Sequence, residues 1–70
     1  MPDVATLQIE FGKRLREIRQ ERGLTQGQLA TLLKIKQSTL SDLEKGLHAP
    51  TLETVEHVAK TLRIAPAELF

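Results

Sequence analysis

The side chains best suited to chemistry in this 70-residue chain are polar groups at the start of a short predicted helix. Gln37 carries a donor and an acceptor on one amide, so it can bind the edge of an adenine through two hydrogen bonds. Ser38 lies beside it in the first turn, and Ser41 and Asp42 follow on faces away from the apolar residues. The N-terminal end of such a helix can enter the major groove of DNA. Gln37 is therefore the first candidate for a base contact, and a glutamine exposed only to solvent is the alternative.

Two short amphipathic helices joined by a turn, over residues 25–46, would position these side chains. Thr25 can cap the first helix, and Gln28 three residues later completes a capping-box pattern. The spacing of three leucines predicts one buried face: Leu29, Leu32 and Leu33. Ala30 places a small side chain where a second helix could cross closely.

The second helix of this pair is predicted over residues 37–45. Leu40 and Leu43 form its apolar face, and Gly46 favours the left-handed backbone that ends a helix. The break before it, residues 34–36, is too short for a wide loop, and its central isoleucine can pack under both helices. We therefore expect a tight crossing, as in helix-turn-helix units.

Further helices are predicted on both sides of this pair. An apolar stripe indicates a first helix that starts between residues 6 and 11 and ends before Gly23: Leu7, Phe11, Leu15 and Ile18. Thr51 can cap a fourth helix with apolar residues at helical spacing: Leu52, Val55, Val58, Ala59 and Leu62. Pro66 suits the first position of a short final helix over residues 67–70.

These elements predict one all-α domain over residues 6–70, a compact bundle of about five helices. Residues 1–5 carry no periodic pattern and are predicted to be flexible. No alternation typical of a strand persists along the chain. At the C-terminal end, Leu69 and Phe70 are expected either in the core or in a dimer contact.

The composition argues against several classes of protein. There is no cysteine, and the two histidines, His48 and His57, do not make a metal-ligand set, so we expect no metal and no cofactor. No apolar run approaches the roughly 20 residues of a membrane span, and the N-terminal sequence is acidic. A cytoplasmic protein without a membrane partner is expected. Because no constellation of serine, histidine and acid is evident, neither an enzyme nor a small-molecule substrate is supported.

The net charge of +1 is low for a protein that binds nucleic acid, but the charge is unevenly distributed. Residues 13–45 hold eight basic and four acidic side chains, whereas residues 46–70 hold two basic and three acidic ones. Positive charge is thus concentrated around the predicted helix pair. Five side chains there are candidates for contacts with DNA phosphates: Lys34, Lys36, Thr39, Ser41 and Lys45. Each of them could instead be exposed only to solvent. Thr39 and Ser41 could also donate to bases, and Thr39 could equally be a packing residue.

Four stretches match one family pattern in register: LREIRQERGLTQ (15–26), QLATLL (28–33), QSTLSDLEKG (37–46) and PTLETVEHVAKTLRIAPAELF (50–70). Together they resemble the lambda-repressor-like, Cro/C1-type (XRE) family of helix-turn-helix regulators. The resemblance implies the lambda-repressor-like fold and a protein that binds double-stranded DNA to regulate transcription.

The resemblance also assigns roles to residues. At the positions matching base contacts, the chain has Gln37, Ser38 and Asp42. Asp42 stands where many relatives have Arg, Lys or Gln, and a carboxylate repels phosphate and accepts from cytosine N4 or through water. Asp42 could contribute to sequence specificity by excluding other bases, or it could be a solvated acid near Lys45.

Structural support is implied around the same helix. Gln26, at the start of the first helix of the pair, would contact the DNA backbone and brace Gln37. Arg19 and Glu44 would form an ion pair that orients the second helix. The loop 47–49 often lies on the phosphate backbone in relatives, and here only its histidine could donate to a phosphate.

Three departures from the family pattern affect local stability. Lys34 replaces the usual glycine of the turn, so a left-handed backbone there would cost about 1 kcal/mol. Lys36 and Ala65 replace capping Ser or Thr, each a loss of about 1 kcal/mol.

Two functions follow as hypotheses. The first is a sequence-specific DNA-binding regulator, without catalysis, that binds two half-sites as a homodimer. The second is a protein-interaction adaptor that keeps the fold and has weak or no specific DNA binding, which the low net charge and Asp42 favour. Phage-type repressors, restriction-modification controllers and toxin-linked antitoxins can all carry such a domain, either alone or as part of a longer protein.

Overall fold

The computed structural model describes residues 4–70, with side chains from residue 6 onward, as four α-helices and one short 3-10 turn. The elements are α1 (Val4–Glu21), α2 (Gln26–Leu33), α3 (Gln37–Glu44), α4 (Leu52–Leu62) and the 3-10 turn Pro66–Leu69. The described range contains no strand. Its Cα radius of gyration is 11.0 Å, and about 11 Å is expected of a compact chain of this length. The prediction of a compact all-α fold is confirmed.

The fifth predicted helix is a 3-10 turn, so the bundle has four α-helices rather than five. Its backbone bonds span three residues: the Glu68 N–H donates to the Ala65 carbonyl at 2.9 Å. The Glu68 carboxylate accepts from the Ala65 N–H at 2.8 Å, which is the half of a capping box that needs no side chain at the capping position. Four residues suffice for one tight turn, and this turn brings Leu69 fully into the core. Phe70 remains 54% exposed, with its ring 5.7 Å from that of Phe11.

α1 begins earlier than predicted, because Val4 and Ala5 already belong to it. Residues 1–3 lie outside the described residues, and the flexibility of the N-terminus stays a prediction. Gly12 lies where α1 crosses α3. A Cβ at this position would overlap the Leu43 carbonyl oxygen and lie 2.8 Å from the Glu44 carbonyl oxygen. The glycine therefore permits a close crossing between the two backbones.

The core draws apolar side chains from all five elements: Phe11, Leu15, Ile18, Leu29, Ala30, Leu33, Leu40, Leu43, Val55, Val58, Ala59, Leu62 and Leu69. Three residues predicted on apolar faces are exposed instead: Leu7, Leu32 and Leu52. Leu7 and Leu52 lie in the first turns of their helices. Leu32 is exposed because the buried stripe of α2 includes Ala30, and Leu32 lies roughly 100° around the helix from the middle of that stripe.

The predicted ends of the helix pair are present. The Thr25 hydroxyl accepts from the Gln28 N–H at 3.1 Å, and the Gln28 side chain accepts from the Thr25 N–H at 2.9 Å, which completes the capping box. Lys34 ends α2 in the left-handed region with φ of 59°, the conformation that glycine adopts at the least cost. Ile35 packs partly buried against the core, as predicted. α3 then starts at Gln37 without a side-chain cap, because Lys36 offers no acceptor.

Candidate nucleic-acid interface

α3 is held by an ion pair at its C-terminal end. Arg19 Nε donates to Glu44 Oε2 at 2.7 Å, and Arg19 Nη2 donates to Glu44 Oε1 at 3.1 Å. A third donor, Arg19 Nη1, reaches the Leu24 carbonyl at 2.9 Å. The side chains are 11% and 3% exposed. Such a two-point pairing of planar groups fixes direction as well as distance, so it ties the end of α3 to the end of α1.

Gln26 joins the same carboxylate. Its side-chain amide donates to Glu44 Oε1 at 3.1 Å, so α2 is connected to α3 through Glu44. The expected brace from Gln26 to Gln37 is not formed among the described residues. Instead, Glu44 Oε1 accepts from both the Gln26 amide and Arg19 Nη2. One carboxylate therefore links three helices: the end of α1, the start of α2 and the end of α3.

The candidate base-contacting residues at the start of α3 point away from the core. Gln37 and Ser38 are exposed, as is Thr39. Gln37 also lies against the start of α2, since its amide oxygen is 3.5 Å from where a Cβ at Gly27 would be. The N-terminal ends of α2 and α3 thus meet at one surface. Free N–H groups at a helix N-terminus attract phosphate, and a side chain that can bind a base edge lies directly beside them.

Asp42 has a partner that the sequence did not suggest. Its carboxylate lies 3.3 Å from His48 Nε2, and both side chains are partly exposed. The anticipated neighbour, Lys45, forms no ion pair with it within the described range. Ser41 and Asp42 are half-buried, one turn further along α3 than Ser38.

A turn after α3 explains this contact. Gly46 has φ of +73°, its N–H donates to the Leu43 carbonyl at 3.1 Å, and the Leu47 N–H donates to the Asp42 carbonyl at 3.0 Å. This is the hydrogen-bond pattern of a Schellman motif, which turns the chain back along the helix end. The turn carries His48 to Asp42. Its signal in the sequence was Gly46, which we had used only to end the helix.

The candidate lysines surround α3. Lys34 and Lys36 lie in the turn before it, and Lys45 follows its last residue. All three are exposed, and none forms an ion pair with another residue of the described part of the chain. Their ammonium groups are therefore free to approach phosphates, and this role stays a prediction.

Sequence reasoning missed two polar contacts that support the bundle. His57 Nε2 lies 2.7 Å from the Leu33 carbonyl oxygen at the end of α2. Arg14 Nε donates to the Glu68 carbonyl at 2.8 Å and so connects α1 to the 3-10 turn. Neither residue belongs to the surface around Gln37, and no spacing along the chain indicates a contact between elements so far apart in sequence.

A helix-turn-helix family model (HTH_3) matches residues 15–69, which include the braced pair α2 and α3. The chain belongs to the Cro/C1-type helix-turn-helix family. This confirms the resemblance seen in the sequence, and the matched range contains every candidate residue of the interface.

Relatives within this family are regulators and repressors. The chain is 46% identical over 58 residues to the HTH-type transcriptional regulator DdrOP3 of Deinococcus deserti, covering 83% of this chain and 45% of that protein. It is 45% identical over 53 residues to the immunity repressor protein of Bacillus phage phi105, covering 76% of this chain and 37% of that protein. The chain thus spans less than half the length of these two helix-turn-helix relatives.

A solved structure in the family matches more of its own length. The restriction-modification controller protein C.AhdI of Aeromonas hydrophila superposes with a TM-score of 0.83 at 38% identity. The superposition covers 90% of this chain and 96% of that one. Within residues 4–70 of the helix-turn-helix chain, no three potential metal-binding side chains cluster, and no helix is long and apolar enough to cross a membrane.

Proposed function

We propose that this chain is a sequence-specific DNA-binding transcriptional regulator that places α3 in the major groove. The observation that carries the proposal is that α3 is held at one end and exposes polar side chains at the other. Arg19 and Gln26 hold its C-terminal end through Glu44, while Gln37 and Ser38 are exposed at its N-terminal end. A rigid helix with hydrogen-bonding side chains at its N-terminal end is what base contacts in the major groove require.

Contacts to the DNA backbone would fix the register of α3. The backbone N–H groups at the start of α2 lie beside Gln37. Gln26, the first residue of α2, donates to Glu44 and is partly exposed. Around α3, the candidates are the three lysines together with Thr39 and Ser41. Phosphate contacts position a protein on DNA, whereas base contacts select the sequence. Gln37, Ser38 and Asp42 are the proposed base-contacting set.

We also propose that two copies bind one operator. Half-sites of helix-turn-helix dimers lie about one helical turn, roughly 34 Å, apart on one face of DNA. The described residues measure 34 × 24 × 21 Å, so each of two adjacent half-sites can hold one copy. The name of one relative, an immunity repressor, agrees with repression as the outcome, and a cytoplasmic location is expected.

The test is binding to a palindromic duplex selected from random DNA. Fluorescence anisotropy across a salt series should give log K falling with log salt by about 0.9 for each phosphate neutralised. Gln37→Ala should weaken binding to the selected duplex by about 1 to 3 kcal/mol and leave binding to random duplex almost unchanged. Gln20→Ala, on an exposed glutamine of α1 outside the helix pair, is the matched control. Sedimentation of the complex gives the number of copies bound.

The adaptor hypothesis is the second candidate, and the net charge of +1 and the carboxylate on α3 favour it. It predicts equal, weak affinity for the selected and random duplexes, and no difference between the variants Gln37→Ala and Gln20→Ala. A preference for the selected duplex that survives excess competitor DNA would exclude it. If the chain shows no preference for the selected duplex over random duplex, with or without competitor DNA, the hypothesis of a sequence-specific regulator is excluded.

A further inference from the structure

The contact between Asp42 and His48 lies on the same helix as the proposed base contacts, and its geometry leaves the carboxylate able to bind a further donor. His48 Nε2 is 3.3 Å from Asp42 Oδ2. The other carboxylate oxygen has no hydrogen-bond partner within the described range, and the Asp42 side chain is 39% exposed. Asp42 follows Ser38 by four residues, so the two lie on one face of α3.

The turn at Gly46 holds this arrangement in place. The Leu47 N–H donates to the Asp42 backbone carbonyl at 3.0 Å, so the residue that bears the carboxylate also anchors the turn that carries His48. A Cβ at Gly46 would lie 3.0 Å from two atoms of Ile9 on α1, so α1 packs directly on the turn. His48 therefore follows Asp42 through a short, hydrogen-bonded and packed connection rather than through a free loop.

The charge of His48 decides how Asp42 behaves close to DNA. A lone carboxylate near phosphates is repelled, whereas a carboxylate beside an imidazolium forms a neutral pair that still has a free acceptor. Other charged groups on the elements around the loop are Glu10 of α1, Lys45 directly after α3 and Glu53 of α4. Among the described residues, Asp42 is the acidic side chain within ion-pair distance of His48, and the contact is an ion pair only when the imidazole carries a charge. Histidine ordinarily changes its charge between about pH 5 and 8.

We propose that Asp42 and His48 form a second specificity element, in which His48 positions Asp42 and balances its charge so that the free carboxylate oxygen accepts a hydrogen bond from cytosine N4. Cytosine N4 offers a donor at the major-groove edge, whereas the adenine N6 donor has the N7 acceptor beside it, which repels a carboxylate. His48 acts here as a positioning residue, and protonation strengthens the preference for cytosine. This inference rests on the proposed function, since it requires α3 to lie in the major groove.

The experiment combines site selection with pH-dependent binding. Sites are first selected from random DNA with the natural chain and with Asp42→Asn, which keeps the size of the side chain and removes its charge. The position whose base preference differs between the two identifies the base facing Asp42. Anisotropy then measures binding of duplexes with cytosine or thymine at that position at about pH 6 and pH 8, the range in which histidine titrates. The same series is run with His48→Gln, and with His57→Gln as the control for the other histidine.

The natural chain should select cytosine at that position. Its preference for cytosine over thymine should be about two- to fivefold greater at the lower pH, because an exposed ion pair changes an equilibrium constant by about that factor. His48→Gln should remove this pH dependence, and His57→Gln should keep it. The inference is overturned if Asp42→Asn selects the same base at every position, or if the pH dependence persists in His48→Gln. Absence of any selected site would instead overturn the proposed function itself, so the two failures are distinguishable.

Discussion

Replacing Glu44 with alanine tests whether one carboxylate holds α3 in place. The change removes both acceptors of the Arg19 guanidinium and the acceptor of the Gln26 amide. Arg19 would then keep one hydrogen bond, to the Leu24 carbonyl at 2.9 Å, in a site where its side chain is only 11% exposed. Removing one partner of a buried ion pair usually costs about 3 to 5 kcal/mol. Because Arg19 keeps that bond and reaches some water, we expect the lower end, about 3 kcal/mol.

Thermal and urea unfolding followed by circular dichroism measure this loss. For a domain of this size, each 1 kcal/mol corresponds to roughly 4 to 8 °C in Tm, so the midpoint should fall by about 12 to 24 °C. Glu17→Ala is the matched control, because the ion pair between Arg14 and Glu17 is 3.2 Å long but well exposed. That control should change stability by no more than about 1 kcal/mol.

A double-mutant cycle isolates the interaction free energy between Arg19 and Glu44 from their interactions with other residues. Arg19→Ala and the double variant complete the cycle with Glu44→Ala, and we expect a coupling free energy of about 2 kcal/mol. A coupling below about 0.5 kcal/mol, or a Glu44→Ala midpoint equal to that of Glu17→Ala, would refute the argument that burial makes this pair important. DNA affinity of Glu44→Ala, measured well below its midpoint, should also fall, since α3 would lose its anchor.

Three further substitutions test the packing. Gly12→Ala should destabilise the fold by at least about 1 to 3 kcal/mol in urea unfolding, because the new methyl group meets backbone rather than a movable side chain; unchanged stability would show that the crossing of α1 and α3 is looser than described. Leu33→Ala should lower the free energy of unfolding by about 2 to 5 kcal/mol and Leu32→Ala by less than about 1 kcal/mol, because Leu33 is buried and Leu32 is exposed. Equal losses of stability would contradict the assignment of the buried face of α2. His57→Ala should lower stability by about 0.5 to 1.5 kcal/mol through loss of its bond to α2, and His57→Gln should recover part of it if donation to that carbonyl is the cause.

Local patterns predicted the helices, their caps and the family, because these depend on residues within one or two turns. The capping box of Thr25 and Gln28 is an example, since both of its hydrogen bonds lie within four residues. Leu32 shows where periodicity is insufficient. An eight-residue helix with four apolar positions permits more than one buried stripe, and the packing of the neighbouring helices selects one of them.

Contacts between distant elements were predicted only where the family pattern supplied them, as for Arg19 and Glu44. The role of Gly12 could not be predicted, because a glycine inside a helix looks like a local weakness until the crossing helix is known. The pair of Asp42 and His48 depends on how the chain turns after Gly46, and spacing in the sequence does not contain that direction. The Gln26 amide donates to Glu44 rather than to Gln37, and this contact between α2 and the end of α3 is not indicated by the spacing of the two residues in the sequence.

The left-handed backbone at Lys34 has a counterpart at Arg63, so the two non-glycine residues with positive φ in the described range are both cations that end a helix. Each conformation costs about 1 kcal/mol relative to glycine, but a cation at a helix C-terminus returns about 0.3 to 1 kcal/mol. Replacing either by glycine should therefore change Tm by only a few degrees. At Lys34, beside α3, the same replacement would also remove a charge available to phosphate. At both positions the conformational cost of the left-handed backbone is thus nearly offset by the favourable interaction of the cation with the helix C-terminus. At Lys34, the retained charge would also increase the affinity for DNA.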